Sequence, residues 1–258
     1  MPTQSENANL FSSLHVKGNP IILFNIWDAG SAQAVQEAGA KAVATGSRAA
    51  AAAHGYGDGE ELPLDLAVAN LKRIIAIVDV PVTFDFESGY GKTPTEVAQT
   101  VTQVIEAGAV GINFEDQIIG GDDTLYSVED QVARIKAIRE AADKLAVPFF
   151  INARTDVFLM TNPTTHNEAH LEETIQRAAA YAEAGASGFF APGLRNAQYI
   201  EKLCDASPIP VNLLVMPDVP SSTALAELGV ARISYGGRPY FQLIDAFKEA
   251  ARKALAGN

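Results

Sequence analysis

The sequence has 258 residues, of which 48% are hydrophobic, and 19 Lys and Arg residues stand against 31 Asp and Glu residues, giving a net charge of -12. This length and composition suffice to bury the core of one α/β barrel, so we expect a single domain over residues 1–258. The acidic charge repels phosphate backbones and anionic lipid surfaces, which argues against nucleic acid and membranes as partners.

Residues 1–17 are expected to form a leading helix or a loose arm. They lack the basic start and apolar stretch of a signal peptide, and no later run approaches the roughly 20 apolar residues of a membrane span. The single cysteine, Cys204, excludes an intramolecular disulfide framework and is expected to be a small buried residue on a helix. These features predict a soluble, cytoplasmic protein.

A repeated phrase marks the junctions between helices and strands. Glu-Ala-Gly-Ala begins at Glu37, Glu106 and Glu183, and the looser Glu-Leu-Gly-Val begins at Glu227. Each phrase closes a helical stretch with a glycine suited to a left-handed C-terminal cap. A short apolar strand candidate follows each phrase, so these positions are predicted to be helix-to-strand junctions.

The apolar runs around these junctions predict eight strands. Runs such as IILF, VGINF and PFFIN are apolar on consecutive positions, as in parallel strands that are buried on both faces. The predicted strands are 20–25, 41–45, 82–85, 111–115, 149–154, 188–192, 210–214 and 231–235. Because helical segments separate nearly all of them, we predict a (β/α)8 TIM barrel, with an open doubly wound sheet as the poorer alternative.

Acidic side chains cluster where the third and fourth predicted strands end. Asp85 and Glu87 are two residues apart at the end of one strand, and Glu115 ends the next. The carboxyl ends of barrel strands face one shared site, so these three side chains are expected to meet. Carboxylates without neighbouring cysteine or histidine are hard oxygen ligands, which favour Mg2+, with Mn2+ as an alternative, over structural zinc.

Candidate substrate contacts follow other strands. Arg154 ends an otherwise apolar strand and is expected either to form an ion pair with Asp156 or Asp28, or to clamp a substrate carboxylate. Gly46 and Ser47 occupy a turn that can present backbone N–H groups and a hydroxyl to a carboxylate or enolate oxygen.

Three further residues are weaker candidates. Asn212 lies on the seventh predicted strand and is a candidate substrate contact. Trp27 is either a contact or an ordinary packing residue at the barrel rim. His54 lies in an alanine-rich stretch and is interpreted as structural.

Three motifs resemble those of the isocitrate lyase and phosphoenolpyruvate mutase family. Residues 84–91 (FDFESGYG) look like its metal-binding signature, residues 113–117 (NFEDQ) are similar to its following acidic motif, and residues 152–156 (NARTD) resemble its arginine strand. The resemblance extends through residues 25–32 and 55–58 to 234–239, and so covers nearly the whole chain.

The resemblance implies a barrel whose last helix is exchanged between subunits, in homodimers or homotetramers, and a divalent cation under a flexible gating loop. By this analogy Asp85 touches the cation, while Glu87, Glu115 and Asp58 hold it largely through water. The same analogy assigns the substrate carboxylate and keto oxygen to Gly46, Ser47 and Arg154. Members of the family commonly stabilise a pyruvate-like enolate on the metal.

The predicted gating loop departs from the family pattern. Family lyases carry a cysteine, lysine and histidine there, whereas residues 117–126 read QIIGGDDTLY. A glutamate expected after the sixth strand is replaced by Pro192 and Gly193. Tyr126 and Asp122, or the adjacent Asp123, are therefore the candidates for proton transfer when the loop closes.

The sequence thus predicts a magnesium-dependent carbon–carbon lyase that acts on a small α-keto or α-hydroxy dicarboxylic acid through a metal-stabilised enolate, by C–C cleavage or decarboxylation. One alternative is a mutase or hydrolase of the C–P bond of phosphonopyruvate, against which the absence of a lysine in the loop counts. Another is a non-catalytic α-keto acid-binding protein that has lost its proton donor.

Overall fold

A computed structural model describes residues 2–121 and 124–257 of the chain. The strands are β1 (Ile21–Leu23), β2 (Val43–Ala44), β3 (Val82–Asp85), β4 (Gly111–Glu115), β5 (Phe150–Arg154), β6 (Gly188–Phe190), β7 (Val211–Leu214) and β8 (Arg232–Ser234). They form one parallel sheet in the order β1-β8-β7-β6-β5-β4-β3-β2. A parallel bridge between Ile26 and Thr45, just beyond β1 and β2, joins the two outer strands. The predicted (β/α)8 barrel is confirmed.

Helices connect and surround these strands. They are α1 (Gln4–Ser13), α2 (Ala29–Glu37), α3 (Ser47–His54), α4 (Leu64–Ile75), α5 (Pro94–Glu106), α6 (Val128–Lys144), α7 (Glu168–Glu183), α8 (Ala197–Ala206), α9 (Ser222–Glu227) and α10 (Arg238–Leu255). A 3-10 turn at Pro163–Thr165 precedes α7. Among the helices described, none is long and apolar enough to span a membrane.

The repeated glycine junctions have the predicted conformation. Gly39, Gly108, Gly185 and Gly229 follow α2, α5, α7 and α9 with φ values of 95°, 105°, 101° and 89°. This left-handed backbone is easily adopted by glycine, which has no Cβ, and it turns the chain from each helix into the next strand. The repeat in the sequence is therefore a repeat of the helix-ending turn.

Strands β3 and β4 have their predicted bounds, whereas β1 is shorter than predicted at its carboxyl end. There the side chain of Asn25 takes over the bonding between neighbouring segments. Its Nδ2 donates to the Thr45 carbonyl at 2.9 Å, and its Oδ1 accepts from the N–H groups of Tyr235 and Gly236 at 2.9 and 2.8 Å. An amide side chain thus links the β1, β2 and β8 loops at the mouth of the barrel.

Helix α1 closes the opposite, amino-terminal end of the barrel. Phe11 is fully buried and packs edge-on against Phe150, and the ring of His15 stacks on Phe150 with centroids 4.1 Å apart. The side chain of Gln4 donates to the carbonyls of Ile105 and Ala109 at 2.7 and 2.8 Å. Residues 4–13 of the segment that was expected to be a leading helix or a loose arm therefore form a docked helix.

Candidate active site at the carboxyl ends of the strands

A cavity of about 720 Å³ opens at the carboxyl ends of the strands. Five of its lining side chains are acidic: Asp58, Glu61, Asp85, Glu87 and Glu115. Its apolar lining comes from the loops after β4 to β7 and includes Ile118, Ile119, Leu159, Phe190, Leu214 and Met216. The cavity thus has an acidic wall and an apolar wall, and the acidic wall contains all four predicted metal-binding residues.

Asp85, at the end of β3, is held by the turn that follows β2. Its Oδ2 accepts from both the backbone N–H and the hydroxyl of Ser47, each at 2.8 Å, and its own N–H donates to the Thr45 hydroxyl oxygen at 2.8 Å. Oδ1 has only a 3.4 Å hydrogen bond from Asn113 within the described part of the chain. Hydrogen bonds therefore orient the carboxylate through Oδ2. Oδ1 has few competing hydrogen bonds and stays available to a ligand in the cavity that Asp85 lines.

The same bonds change the roles predicted for Gly46 and Ser47. The Ser47 donors that were expected to bind a substrate carboxylate point to Asp85 instead. The N–H of Gly46 donates to the Ile26 carbonyl at 2.9 Å. In this structure the turn positions the side chain of Asp85, because both Ser47 donors bond to the Asp85 carboxylate.

Glu87 lies in a strained position beneath the cavity. Its φ is 49°, and only 4% of the residue is exposed. Oε2 accepts from the N–H groups of Gly59 and Glu60 at 3.0 and 2.8 Å, and Oε1 accepts from the Tyr90 hydroxyl at 3.1 Å. A left-handed backbone at a non-glycine residue is costly, which is typical of functional sites.

Burial and neighbouring acids raise the pKa of the Glu87 carboxyl to about 7. The negative charges of Asp85, Asp58 and Glu60 act in the same direction as burial. The pKa of Asp58 is raised by partial burial and by the negative charge of Asp85. The positive charges of Arg48 and Arg154 act in the opposite direction and lower this pKa. A nearby cation would therefore relieve both the desolvation and the mutual repulsion of these carboxylates.

Arg154 forms a buried ion-pair network at the end of β5. Its Nη1 lies 2.6 Å from Glu115 Oε2, and its Nε and Nη2 bind the two oxygens of Asp156 at 2.6 and 2.7 Å. Of the two partners proposed from the sequence, Asp156 is the one observed, whereas Asp28 caps α2 by accepting from Ser31. Burial still raises the pKa of Glu115 well above its ordinary value, despite the attraction of Arg154.

The four carboxylates fit a divalent cation by their chemistry. Asp58, Asp85, Glu87 and Glu115 offer only oxygen donors, which Mg2+ and Mn2+ prefer. Within residues 2–121 and 124–257, no three His, Cys, Asp or Glu side chains lie close enough together to enclose an ion directly. Mg2+ usually keeps several of its waters in proteins, so it can be held by carboxylates that do not all touch it.

Several predicted site residues lie outside the cavity lining. Trp27 packs edge-on against Tyr240 with centroids 5.2 Å apart, as a rim packing residue does. Asn212 is buried inside the barrel, where it accepts from the Ser234 hydroxyl at 3.2 Å. Tyr126 lies with its ring 3.9 Å from the guanidinium carbon of Arg134. Asp122 and Asp123 fall outside the described residues.

Tyr126 nevertheless belongs to a buried anchor for the loop that begins at Gln117. Its N–H donates to the Asp116 carbonyl at 2.8 Å, and its carbonyl accepts from Arg177 at 3.1 Å. Arg177 also pairs with the Asp116 carboxylate at 3.0 Å, and Tyr181 donates to the same carboxylate at 2.8 Å. The loop is thus fixed at its base while Ile118 and Ile119 line the cavity.

Sequence reasoning assigned no role to Arg48, Glu61 and Asn25, all of which line the cavity. Arg48 directly follows the turn residues Gly46 and Ser47, so its position was a usable signal. Cys204 is buried on α8 as expected, and burial raises the pKa of its thiol to about 12. His54 makes a local contact with the Ala50 carbonyl and does not line the cavity.

Known proteins resemble this chain over most of its length. The chain is 30% identical to 2-methylisocitrate lyase of Escherichia coli over 78% of this chain and 67% of that protein. It is 31% identical to oxaloacetate decarboxylase of Pseudomonas entomophila over 72% of this chain and 62% of that one. A solved structure from Burkholderia cenocepacia, described as a candidate phosphonomutase, is 48% identical, with a TM-score of 0.93 and coverage of 99% and 100%.

The family model described as phosphoenolpyruvate phosphomutase matches residues 11–255. That match spans β1 to β8 and with them all the acidic residues of the cavity. The predicted resemblance and the prediction of an enzyme are both confirmed. The chain belongs to the phosphoenolpyruvate phosphomutase family, among the enzymes of the isocitrate lyase and phosphoenolpyruvate mutase superfamily.

Proposed function

We propose that this protein is a magnesium-dependent carbon–carbon lyase that acts on a small α-keto or α-hydroxy dicarboxylic acid. The observation that carries the proposal is the convergence of Asp58, Asp85, Glu87 and Glu115 on one cavity, beside the half-buried Arg154. The names of the curated relatives, a 2-methylisocitrate lyase and an oxaloacetate decarboxylase, support the reaction class.

Asp85 would hold the cation, and Asp58, Glu87 and Glu115 would hold it mainly through its water molecules. When bound, Mg2+ supplies charge stabilisation for the negative oxygen that develops as the C–C bond breaks. Mn2+ is expected to substitute for it, because both are hard cations that prefer oxygen donors.

Arg154 would orient the substrate without giving up its ion pairs. A guanidinium has five N–H donors, and the contacts with Glu115 and Asp156 use three of them. The remaining donors are available to a substrate carboxylate, since Arg154 lines the cavity. Ile118 and Ile119 would exclude water from the reacting groups, which strengthens electrostatic interactions there.

Proton transfer is assigned, as part of the proposal, to the predicted gating loop, residues 117–126. Asp122 is the proposed acid or base, with Tyr126 as the second candidate. Tyr126 is held at the base of the loop by Asp116 and Arg177, so Asp122, nearer the centre of the loop, is the preferred residue of the two.

The proposal is tested by incubating the protein with Mg2+ and a panel of acids that includes oxaloacetate, 2-methylisocitrate and substituted malates. At least one acid should be consumed, and Asp85→Asn should lower the rate by about 100-fold or more because the carboxylate charge is lost. Asp143→Asn, an exposed change on α6, should leave the rate unchanged. Failure to consume or bind any of these acids with Mg2+ or Mn2+ would refute the proposal.

A second candidate function is C–P bond chemistry on phosphonopyruvate, which the name of the Burkholderia structure favours. The cations among the described lining residues are Arg48 and Arg154, without a lysine. A transferring phosphoryl group needs positive charge close by, which makes this the weaker candidate. Release of inorganic phosphate, or formation of phosphoenolpyruvate from phosphonopyruvate, would favour it over the lyase.

The proposed assembly is a homodimer or homotetramer in which α10 packs on a second copy of the chain. Leu243, Phe247 and Leu255 on α10 are 54%, 69% and 89% exposed, and Ile22 and Phe24 near β1 are 47% and 41% exposed. Such apolar patches are typical of interfaces between subunits. Light scattering should give the mass of an oligomer, and Phe247→Ser should shift it towards the monomer; a monomeric wild-type protein contradicts the assembly.

The proposed substrate is a soluble small molecule. The protein is proposed to be a single domain and to be located in the cytoplasm. The buried thiol of Cys204 suits a reducing compartment, because the described structure gives it no role in a disulfide.

A further inference from the structure

The charges that line the cavity are unbalanced in a way that singles out Arg48. Among the described lining residues, five are acidic and two are arginines, Arg48 and Arg154. Arg154 is already surrounded by the carboxylates of Glu115 and Asp156, at distances of 2.6 to 2.7 Å. A ligand with more than one negative charge therefore finds little uncompensated positive charge at Arg154.

Arg48 is in the opposite situation. In the described part of the chain, no carboxylate oxygen lies within 4.0 Å of its guanidinium nitrogens, although it lines the same cavity as Asp58 and Glu61. Its guanidinium lies over the ring of Phe241, 5.2 Å from the centroid. This cation–π contact positions the group while leaving its N–H donors available.

The two arginines also differ in depth. Glu87 and Glu115, 4% and 5% exposed, mark the deep end of the cavity, and Arg154 is bonded there. Arg48 is exposed and stands beside Gly237 at the mouth. An acid whose metal-binding end lies among the deep carboxylates would direct its far end towards the mouth, where Arg48 can reach it.

We propose that Arg48 binds the second carboxylate of a dianionic substrate and makes this enzyme select diacids over monoacids. The inference rests on the proposed function, because it assumes that the first carboxylate occupies the metal end of the cavity. Arg48 is then the specificity-determining residue, and it supplies positive charge from the first turn of α3 instead of from the predicted gating loop.

Two acids that differ only at one end test this role. Malate and 2-hydroxybutanoate share a carboxylate and an α-hydroxyl group, but a methyl group replaces the second carboxylate in 2-hydroxybutanoate. Titration calorimetry in the presence of Mg2+ should show that the wild-type protein binds malate more tightly. Arg48→Gln should weaken malate binding about tenfold or more and leave 2-hydroxybutanoate binding unchanged, as expected for loss of one charge-assisted contact.

Three controls make the result specific. Arg48→Lys keeps the charge and should retain part of the preference for malate. Arg73→Gln removes an exposed arginine on α4, away from the cavity, and should change neither affinity. Titration with Mg2+ alone should show that Arg48→Gln does not weaken metal binding, because Arg48 forms no ion pair with the proposed metal-binding carboxylates and its positive charge near Asp58 opposes a cation.

The failures of the two proposals are distinguishable. If wild type binds Mg2+ and malate but Arg48→Gln keeps the full preference for malate, the role of Arg48 is overturned and the proposed function stands. Equal weakening of both acids also overturns it, because Arg48 would then contact the shared end. If wild type binds neither acid but does bind an acid of the earlier panel, the role of Arg48 is overturned and the proposed function stands. If wild type binds none of these acids with Mg2+ or Mn2+, the proposed function fails, and the role of Arg48 fails with it.

Discussion

Ser47 donates both its backbone N–H and its hydroxyl to the same oxygen, Oδ2 of Asp85, at 2.8 Å each. The two residues belong to neighbouring strand ends, so this pair of bonds joins the β2 turn to the proposed metal-binding carboxylate. Both donors are fixed before any ligand arrives, which lowers the cost of orienting Asp85 when a cation binds.

Ser47→Ala is expected to lower Mg2+ affinity several-fold. The variant keeps the backbone N–H bond but loses the hydroxyl bond, which leaves Asp85 less firmly oriented and is worth about 1 kcal/mol. Calorimetric titration with Mg2+ measures the change, and Ser13→Ala on α1 is the matched control. Unchanged affinity in Ser47→Ala would show that the backbone N–H alone positions Asp85.

Arg154→Met is expected to destabilise the protein by about 3–5 kcal/mol, because it leaves Glu115 and Asp156 buried without their cation. Adding Glu115→Gln should recover part of this loss by removing one uncompensated charge. Urea denaturation of both variants measures the effect. As a control, Arg252→Met breaks an exposed ion pair on α10 and should leave the unfolding midpoint unchanged. If the effects of Arg154→Met and Glu115→Gln on the free energy of unfolding simply add, the two residues are not energetically coupled and the prediction is contradicted.

Gly193→Ala is expected to destabilise the fold by about 3 kcal/mol or more, combining backbone strain with overpacking. Gly193 has φ 87°, and a Cβ there would lie 2.7 Å from the backbone carbon and oxygen of Phe158. The matched control is Gly39→Ala, where φ is 95° but nothing lies within 4 Å of the added Cβ. The melting temperature of Gly193→Ala should be well below that of Gly39→Ala. Equal decreases in melting temperature would contradict the steric argument.

His15 should make stability fall as the pH is lowered below about 6.5. Burial, helped by the charge of Arg232, lowers the pKa of its folded-state imidazole to about 3, whereas the unfolded chain protonates near pH 6.5. Between these values the unfolded state binds more protons, so stability drops by up to about 1.4 kcal/mol for each pH unit.

His15→Phe should reduce this dependence between pH 6.5 and 4. Its ring can retain packing against Phe150 but does not titrate. Denaturant unfolding at several pH values gives the two slopes, with His54→Gln as the exposed control. Parallel slopes for wild type and His15→Phe would remove His15 as the cause.

The sequence patterns predicted the barrel because each helix-ending glycine repeats a local conformation, and local conformation depends on nearby residues. They also placed Asp85, Glu87 and Glu115 together, because strand ends in a parallel barrel share one face. The partner of Ser47 and one of the two partners of Arg154 were harder to predict. Asp85 and Glu115 take those donors and are distant in the chain, so they give no local signal, whereas the nearby Asp156 was predicted and is observed.

Trp27 and Asn212 were predicted to contact the substrate, but their side chains do not reach the cavity. Both occur near strand ends, but side-chain direction decides whether such a residue reaches the cavity. Trp27 turns to Tyr240 of the last helix, and Asn212 turns to Ser234 inside the barrel. These choices depend on packing between segments far apart in sequence, which spacing alone does not specify.

The interior of the barrel is filled by buried side chains, and at its amino-terminal end Phe11 and His15 of the α1 segment cover Phe150. Molecules therefore reach the candidate cavity from the carboxyl ends of the strands, where Arg48 lies. Substrate and both halves of a cleaved product would then share one passage. Under the proposed lyase reaction, the fragment that leaves last should therefore compete with incoming substrate, and steady-state kinetics should show that fragment as a competitive product inhibitor.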